Sequence, residues 1–315
     1  MDLSIIIVSY NVQEYLRNCL ASIRKYTKKL SYEVIVVDNN SLDDSCEMVR
    51  SEFPQVRLIE SKDNPGFAKA NNQGFAQSTG EFILFLNPDT ETREHTLESV
   101  LSFLQKTPDA GLATCTLLNT DNTPQQSVNY FPTITRNILS AFFLNRFFLP
   151  GIVPKKQKDP TPIDYPPGAF MMLRRSTVKG NEVLNPDFFM YSEEKDLALR
   201  LLKDQWKTYI VPKAQTVHHG GKSTAEMPLN MFLELQKSQI IFFKTHHSFL
   251  HSVGLTLSWW LVLFTGLLAS IPLSFSQKSA GRLKLFWYSF SKYPGLIRDI
   301  LLQPDKQEAT DAVSK

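Results

Sequence analysis

Short apolar runs alternate with segments of helical period along the first third of the chain, and nothing else in the sequence restricts the fold as much. Leu3 to Val8, Glu33 to Val37, Val56 to Glu60 and Phe82 to Leu86 read as strands. Between them, Val12, Tyr15, Leu16, Cys19, Leu20 and Ile23 keep the spacing of one helical face, and Asp43–Glu52 and Phe67–Ser78 are helix-compatible. Strands so uniformly apolar do not face water on either side, which predicts a mostly parallel sheet covered by helices. Such sheets bind ligands beyond the carboxyl ends of their strands. Downstream, Thr96–Lys106 and Glu193–Leu202 read as helices, and Gly111–Cys115, Gly168–Leu173 and Thr208–Val211 as strands. The stretch between is different. Asn119–Pro132 is polar and turn-rich, Phe142, Phe143, Phe147, Phe148 and Leu149 cluster before Pro150, and Pro154–Pro167 holds five prolines, so a long connection and a flap are expected there.

The last quarter differs in kind. No Lys, Arg, Asp or Glu occurs between Lys244 and Lys278, and Leu255–Leu273 is dominated by Leu, Trp, Val and Ile. About 20 such residues suffice to cross a bilayer as a helix. Trp259 and Trp260 would then lie inside the span rather than at its ends, and Pro272 marks a break. Beyond it, Arg282, Lys284, Lys292 and Arg298 interleave with Leu283, Leu285, Phe286, Trp287, Phe290 and Leu296, the pattern of a segment lying on a membrane surface. A single crossing would put that basic tail outside, against the positive-inside tendency, so spanning, re-entrant and interface-lying arrangements all stay open, as does the plain alternative of a buried helix in a soluble domain. The expected division is a globular domain over residues 1–243 and a membrane-associated region over 244–315. Met1-Asp2-Leu3-Ser4 lacks the basic start of a secretory signal, and three widely spaced cysteines, Cys19, Cys46 and Cys115, fit a reducing compartment. The expectation is therefore the cytoplasmic face of a membrane. With 34 basic against 31 acidic residues and a formal charge of +3, the chain is too balanced to advertise nucleic acid as a partner.

Asp38 directly follows one predicted strand, and Asp89 follows another after Asn87 and Pro88. Both belong at one sheet edge, where one carboxylate is available to sugar hydroxyls and another to a divalent cation. Either Asp alone is as readily a helix cap. Glu193, Glu194 and Asp196 open a helix, where the macrodipole favours acids. The preceding Asp187-Phe188-Phe189-Met190-Tyr191 can wall off a carboxylate from water, as a general base requires. His218 and His219 follow the last strand and are candidate metal ligands. No GxGxxG follows the first strand, no GxSxG occurs, and Gly221-Lys222-Ser223 only mimics the end of a phosphate-binding loop.

The ordered set Ser9-Tyr10-Asn11, Val37-Asp38-Asn39-Asn40-Ser41, Asn64-Pro65-Gly66-Phe67 with Asn71-Asn72, Leu86-Asn87-Pro88-Asp89, Gly168-Ala169-Phe170, Phe188-Phe189-Met190-Tyr191 with Glu193-Glu194, and His218-His219-Gly220-Gly221 resembles glycosyltransferase family 2. The similarity covers roughly residues 1–225 and is closest to the rhamnosyltransferase-like members. It implies a GT-A fold, an αβα nucleotide-binding sandwich, and transfer with inversion at the anomeric carbon. By the same resemblance Ser9, Tyr10, Asn11, Asp38, Asn40, Asn64, Gly66, Phe67, Lys69, Asn72 and Asn87 would hold the donor nucleotide. Asp89 and His218 would bind Mg2+ or Mn2+, and Gly168, Ala169, Phe170 and Tyr191 would border the sugar. Glu194 would be the base, with Glu193 as the fallback. Three positions depart from the family pattern: Asn87 replaces the first acid of the DxD motif, Glu194 a usual Asp, and Gln205 a usual Gly. His218, Gly221 and Ser223 keep the offsets of the family's HxxGxS motif.

No QxxRW sequence is present, so transfer of a single sugar is expected rather than processive synthesis. The apolar C-terminal region points to a lipid-linked glycan acceptor. Two other functions compete: a sugar nucleotidyltransferase, for which no N-terminal Gly-rich loop is supplied, and a catalytically silent, membrane-tethered nucleotide-sugar binder.

Overall fold

The computed structural model describes residues 1–144, 158–220, 228–271 and 277–302. They divide into two compact units, one of residues 1–131 and 151–226, the other of 132–150 and 227–315. The helix Pro228–His246 thus groups with the C-terminal unit, whereas the charge-free stretch alone drew the line at 244.

The first unit is built on a sheet of nine strands: β1 (Leu3–Ser9), β2 (Tyr32–Asp38), β3 (Arg57–Glu60), β4 (Phe82–Leu86), β5 (Thr90–Thr92), β6 (Ala110–Leu118), β7 (Thr161–Ile163), β8 (Phe170–Arg174) and β9 (Lys207–His218). Their order is β3-β2-β1-β4-β8-β6-β9-β5, with β7 pairing β9 off that path. β1 to β4 are mutually parallel. β8 runs antiparallel to both β4 and β6, which makes β6 parallel to β4, and β9 is parallel to β6. Six strands therefore point one way, and β5, β7 and β8 return against them.

Its helices are α1 (Gln13–Tyr26), α2 (Ser45–Glu52), α3 (Phe67–Ala76), α4 (Thr96–Lys106) and α6 (Glu193–Lys203), while α5 (Ile134–Ala141) belongs to the second unit. Leu16, Cys19, Leu20 and Ile23 bury one stripe of α1 at helical spacing. That stripe joins Leu3, Ile5 and Ile7 of β1, Met48 and Val49 of α2, and Leu97, Val100, Leu101 and Leu104 of α4 in the main core. The alternate residues Val8, Ile35 and Val37 pack with Ala70 of α3 on the opposite face. Helices thus cover both faces of the sheet.

β9 is longer than the predicted Thr208–Val211 because the pairing with β6 jumps from Cys115↔Val211 to Thr116↔Gln215. Pro212, Lys213 and Ala214 bulge out there and break the apolar pattern without ending the strand. β5 carries no apolar signal; it is held by pairing with β9 and by the Thr92 amide donating to Ser22 Oγ at 3.0 Å. The second unit contains α5, α7 (Pro228–His246), α8 (Phe249–Ser270), α9 (Gln277–Leu296) and a π-helical turn, Ile297–Leu301. Of the aromatic cluster expected to precede Pro150, Phe142 and Phe143 are exposed, while Phe147, Phe148 and Leu149 lie outside the described residues, as do Pro272 and residues 154–157 of the expected flap, whose described remainder contains β7.

Candidate active site

The parallel strands bring Ser9, Asp38, Leu86 and His218 to one edge of the sheet. At that edge a chain of contacts runs through nearly every predicted motif. Both Asp38 carboxylate oxygens accept from Ser41, one from its hydroxyl at 2.6 Å and the other from its amide at 2.8 Å. The same Ser41 hydroxyl accepts from the Asn11 amide, and Asn11 in turn accepts from the Leu42 amide, so the loops after β1 and β2 form one piece. Asn11 and Asn40 both take left-handed backbone conformations, which Asn tolerates better than most residues. Asn39 donates to Asn64 Oδ1 and to the Gly66 carbonyl, tying in the next loop.

Gly66 is required by geometry. Its φ is +90°, and a Cβ there would come within 2.4 Å of the Phe189 carbonyl oxygen. The Phe67 amide donates to that same carbonyl at 2.6 Å, which fastens the start of α3 to the aromatic run before α6. Gly66→Ala is expected to cost about 2–4 kcal/mol of stability through strain and overpacking, read as a lowered denaturation midpoint at unchanged slope.

From Phe189 the chain reaches Tyr191 and Ser192, both left-handed with φ of +69°. Consecutive strained residues of this kind are costly and concentrate where a side chain must be aimed. They deliver Glu193 and Glu194 at the N-terminus of α6. Glu193 is buried, with Oε1 3.9 Å from where a Cβ on Gly168 would sit. Gly168 precedes Ala169, whose carbonyl accepts from the Asn87 amide at 3.0 Å. The Asn87-Pro88-Asp89 turn leads into β5, whose pairing sets Thr90 opposite His218. The Asp89 carboxylate is buried and 3.5 Å from His218 Nε2, and His218 Nδ1 bonds Gln125 Oε1 at 2.6 Å. His219 turns to Glu91 instead, at 2.8 Å.

Several buried polar atoms along this rim have no hydrogen-bond partner among the described residues: Ser9 Oγ, Asn39 Oδ1, Ser192 Oγ, Glu193 Oε2 and His218 Nε2. Each such group costs about 1–3 kcal/mol unless something bonds it.

Burial raises both glutamates, by different amounts. Glu193 is pushed well above the usual carboxylate range, by burial first and then by the charge of Glu194. Glu194 is half-buried and also raised by burial, but the Lys195 ammonium beside it pulls the other way. Burial lowers Lys195 itself to about 8, against the pull of the two carboxylates. Burial thus favours the protonated form of both glutamates, and their mutual charge opposes ionising the two together.

Not every predicted site residue faces this rim. Asn72 spends its side chain on the backbone, donating to the Leu184 carbonyl and accepting from the Val183 and Leu184 amides. Phe170 is fully buried in the main core. Tyr10 and Tyr191 are half-buried, and Asn40, Asn64 and Lys69 are exposed. Gly221 and Ser223 lie outside the described residues. Gln205, at the family's glycine position, adopts the left-handed φ of +68° that a glycine would take more easily. Ser41, Asn39 and Gln125 were missed as contributors. The first two sit inside a quoted motif, while Gln125 comes from a turn-rich stretch with no chemical signature. A cavity of about 330 Å³ lies elsewhere, around the C-terminal half of α6, lined by Thr177, Lys179, Leu197, Arg200 and Lys203 among others.

The model for the family described as glycosyl transferase family 2 matches residues 4–180. The chain belongs to glycosyl transferase family 2. Among curated relatives, the N-acetylglucosaminyl-diphospho-decaprenol L-rhamnosyltransferase of Mycobacterium tuberculosis is 26% identical over 274 residues, covering 82% of this chain and 86% of that protein. The low-salt glycan biosynthesis hexosyltransferase Agl10 of Haloferax volcanii is 30% identical over 207 residues, 64% of this chain and 62% of its own length. Among solved structures, the mannosyltransferase PcManGT of Pyrobaculum calidifontis, in complex with GDP-Man and Mn2+, aligns with a TM-score of 0.59 at 15% identity over 94% of this chain and 87% of that one. S. aureus TarS 1-349 gives 0.54 at 15% identity over 95% and 81%. These likenesses fix the GT-A fold of this family 2 glycosyltransferase.

Asp89 and His218 suit a divalent cation, since a buried carboxylate and an unbonded imidazole nitrogen face each other. Among the described residues no group of three or more His, Cys, Asp or Glu forms a ready-made cage.

Proposed function

We propose that this chain moves one sugar, with inversion, from a nucleoside-diphosphate sugar to a hydroxyl of a lipid-linked glycan at the cytoplasmic face of a membrane. Rhamnose is the favoured donor sugar and Mg2+ or Mn2+ the favoured ion. The convergence of Asp38, Asp89 and the Glu193–Glu194 pair on one rim of orphaned polar atoms carries the reading. The similarity to the mycobacterial rhamnosyltransferase along most of both chains supports the sugar and the acceptor class.

In this reading the joined loops bearing Asn11, Asp38 and Ser41 hold the nucleoside. A cation on Asp89 and His218 would neutralise charge growing on the departing diphosphate. Glu194 accepts the proton of the acceptor hydroxyl as it attacks the anomeric carbon from the face opposite the leaving group. Glu193 keeps its own proton and bonds a sugar or acceptor oxygen. One displacement suffices, with no covalent enzyme intermediate.

Purified full-length protein in detergent, given a panel of radiolabelled nucleoside-diphosphate sugars and N-acetylglucosaminyl-diphospho-decaprenol, is expected to place label on the lipid only from the rhamnosyl donor. NMR of the product should show an inverted anomer. Release of pyrophosphate would instead identify a nucleotidyltransferase, and donor binding without turnover a silent binder.

A further inference from the structure

The second unit buries polar side chains beside the apolar cluster of Ile240, Leu263, Tyr293 and Leu301 and leaves a stripe of large apolar ones outside. Along α8 and the residue that caps its C-terminus, Leu250, Leu257, Phe264 and Ile271 recur every seven residues and are 81%, 51%, 40% and 51% exposed. The opposite side of the helix buries Ser252, Thr256 and Ser258. The interior of the unit continues in the same way, with Gln236, Ser238 and Gln239 of α7 and Ser289 of α9 buried beside Leu263 and Tyr293. Some of these polar groups bond within the unit, Trp259 Nε1 donating to Gln236 Oε1 at 2.6 Å and Ser252 Oγ to the Phe243 carbonyl at 2.8 Å, whereas Thr256 Oγ1 and Ser289 Oγ have no hydrogen-bond partner among the described residues. In water a bundle turns its Leu and Phe inward and its Ser and Gln outward. Buried small and polar residues between helices, beneath an exposed apolar face, are the arrangement of helices packed against hydrocarbon.

α5 extends the surface. It lies on α8 with Asn137 donating to Ser258 Oγ at 2.9 Å, and Ile134 touches the Gly254 position. Past that contact Ile138, Phe142 and Phe143 are exposed. Phe143 holds a φ of +58°, a strained conformation for a bulky residue, and is 54% exposed. The neighbouring helices bound the depth of any immersion. α7 carries the Glu234–Lys237 pair and Lys244, and α9 carries exposed Lys292. The bundle as a whole therefore does not suit hydrocarbon; only the stripe does.

We propose that the outward stripe of α8, with Ile138, Phe142 and Phe143 of α5, is a bilayer-docking surface covered by lipid acyl chains, with α8 lying in the membrane plane rather than crossing it. This deepens the membrane-face reading above and rests on it. Mixed vesicles of phosphatidylethanolamine and phosphatidylglycerol test it. Full-length protein is expected to float with them, and the variant Leu250→Gln, Leu257→Gln, Phe264→Gln to lose flotation by about tenfold while keeping its helical content and melting temperature, because these side chains make little of the fold. Spin labels on Leu250→Cys, Leu257→Cys and Phe264→Cys should report similar shallow depths.

A maximum of depth at the middle label would mean a spanning helix and would overturn the in-plane arrangement. Equal flotation of variant and wild type, or a wild-type dimer that hides the stripe without lipid, would overturn the docking surface. Transfer measured in detergent on the same preparations separates the two ideas. A variant that no longer floats yet still transfers supports the surface, whereas wild type that floats but never transfers condemns only the proposed reaction.

Discussion

Glu194→Gln is expected to lower transfer by about a thousandfold while donor affinity stays within a few fold of wild type, because a general base contributes only once the hydroxyl attacks. The amide is isosteric and cannot take a proton. Burial has already raised Glu194, so the acid limb of the kcat/KM profile should lie above the ordinary carboxylate range in the wild type. Activity rises with pH through that limb, since the ionised form is the active one. Glu193→Gln behaves differently if Glu193 stays protonated: a neutral amide replaces a neutral acid, and most of the rate survives. Its signature is in stability. A carboxyl whose folded pKa is raised favours folding below its unfolded pKa, and that contribution disappears as pH rises through the folded value. The melting temperature of Glu193→Gln should therefore exceed that of wild type by a margin that grows from acid to alkaline pH. A large rate loss in Glu193→Gln with little in Glu194→Gln would exchange the two roles.

β1, β2 and β4 were legible because they are largely buried on both faces, which favours Ile, Val, Leu and Phe, whereas β3 at the sheet edge is half-exposed. Phe82–Leu86 and Thr96–Lys106 keep the same bounds in the structure as in the sequence. The parts that stayed hidden are set by partners distant in the chain. β5 is three residues long and exists because β9 pairs with it; α7 breaks its apolar pattern with buried Gln236 and Gln239; β9 runs on through a bulge at Pro212. The candidate site shows the same split. Ordered motifs named Asp38, Asp89 and Glu193–Glu194, but no pattern marks Gln125 as the residue that orients His218, and Asn72 sits in a motif only to hold residues 183 and 184. Residue type reveals what chemistry is available, whereas the hydrogen-bond partner decides whether a side chain is free to perform it.

Asp89→Asn tests the metal half of the site, and its expected effect is nearly as large. Asn87 occupies the first acid position of the DxD motif, so Asp89 is the one carboxylate that this turn offers, and its charge lies 3.5 Å from His218 Nε2. Asparagine keeps the shape and one neutral oxygen. The turn itself should survive, because the His219 amide bonds the Asp89 backbone carbonyl and Thr90 Oγ1 donates to the Asn87 carbonyl, neither of which involves the lost charge. Mn2+ affinity, followed by electron paramagnetic resonance of the free ion in the presence of nucleoside diphosphate, should fall by about a hundredfold, with kcat down at least as much. Gln125→Ala removes the bond that orients the His218 ring and should weaken Mn2+ binding by about tenfold, as loss of an outer partner of a metal-bound imidazole does elsewhere. An Asp89→Asn protein that binds Mn2+ and transfers sugar like wild type would show that the ion, if one acts, is held by other groups. Loss of activity with unchanged ion binding would instead move Asp89 to the donor sugar, where a buried carboxylate accepts hydrogen bonds from hydroxyls.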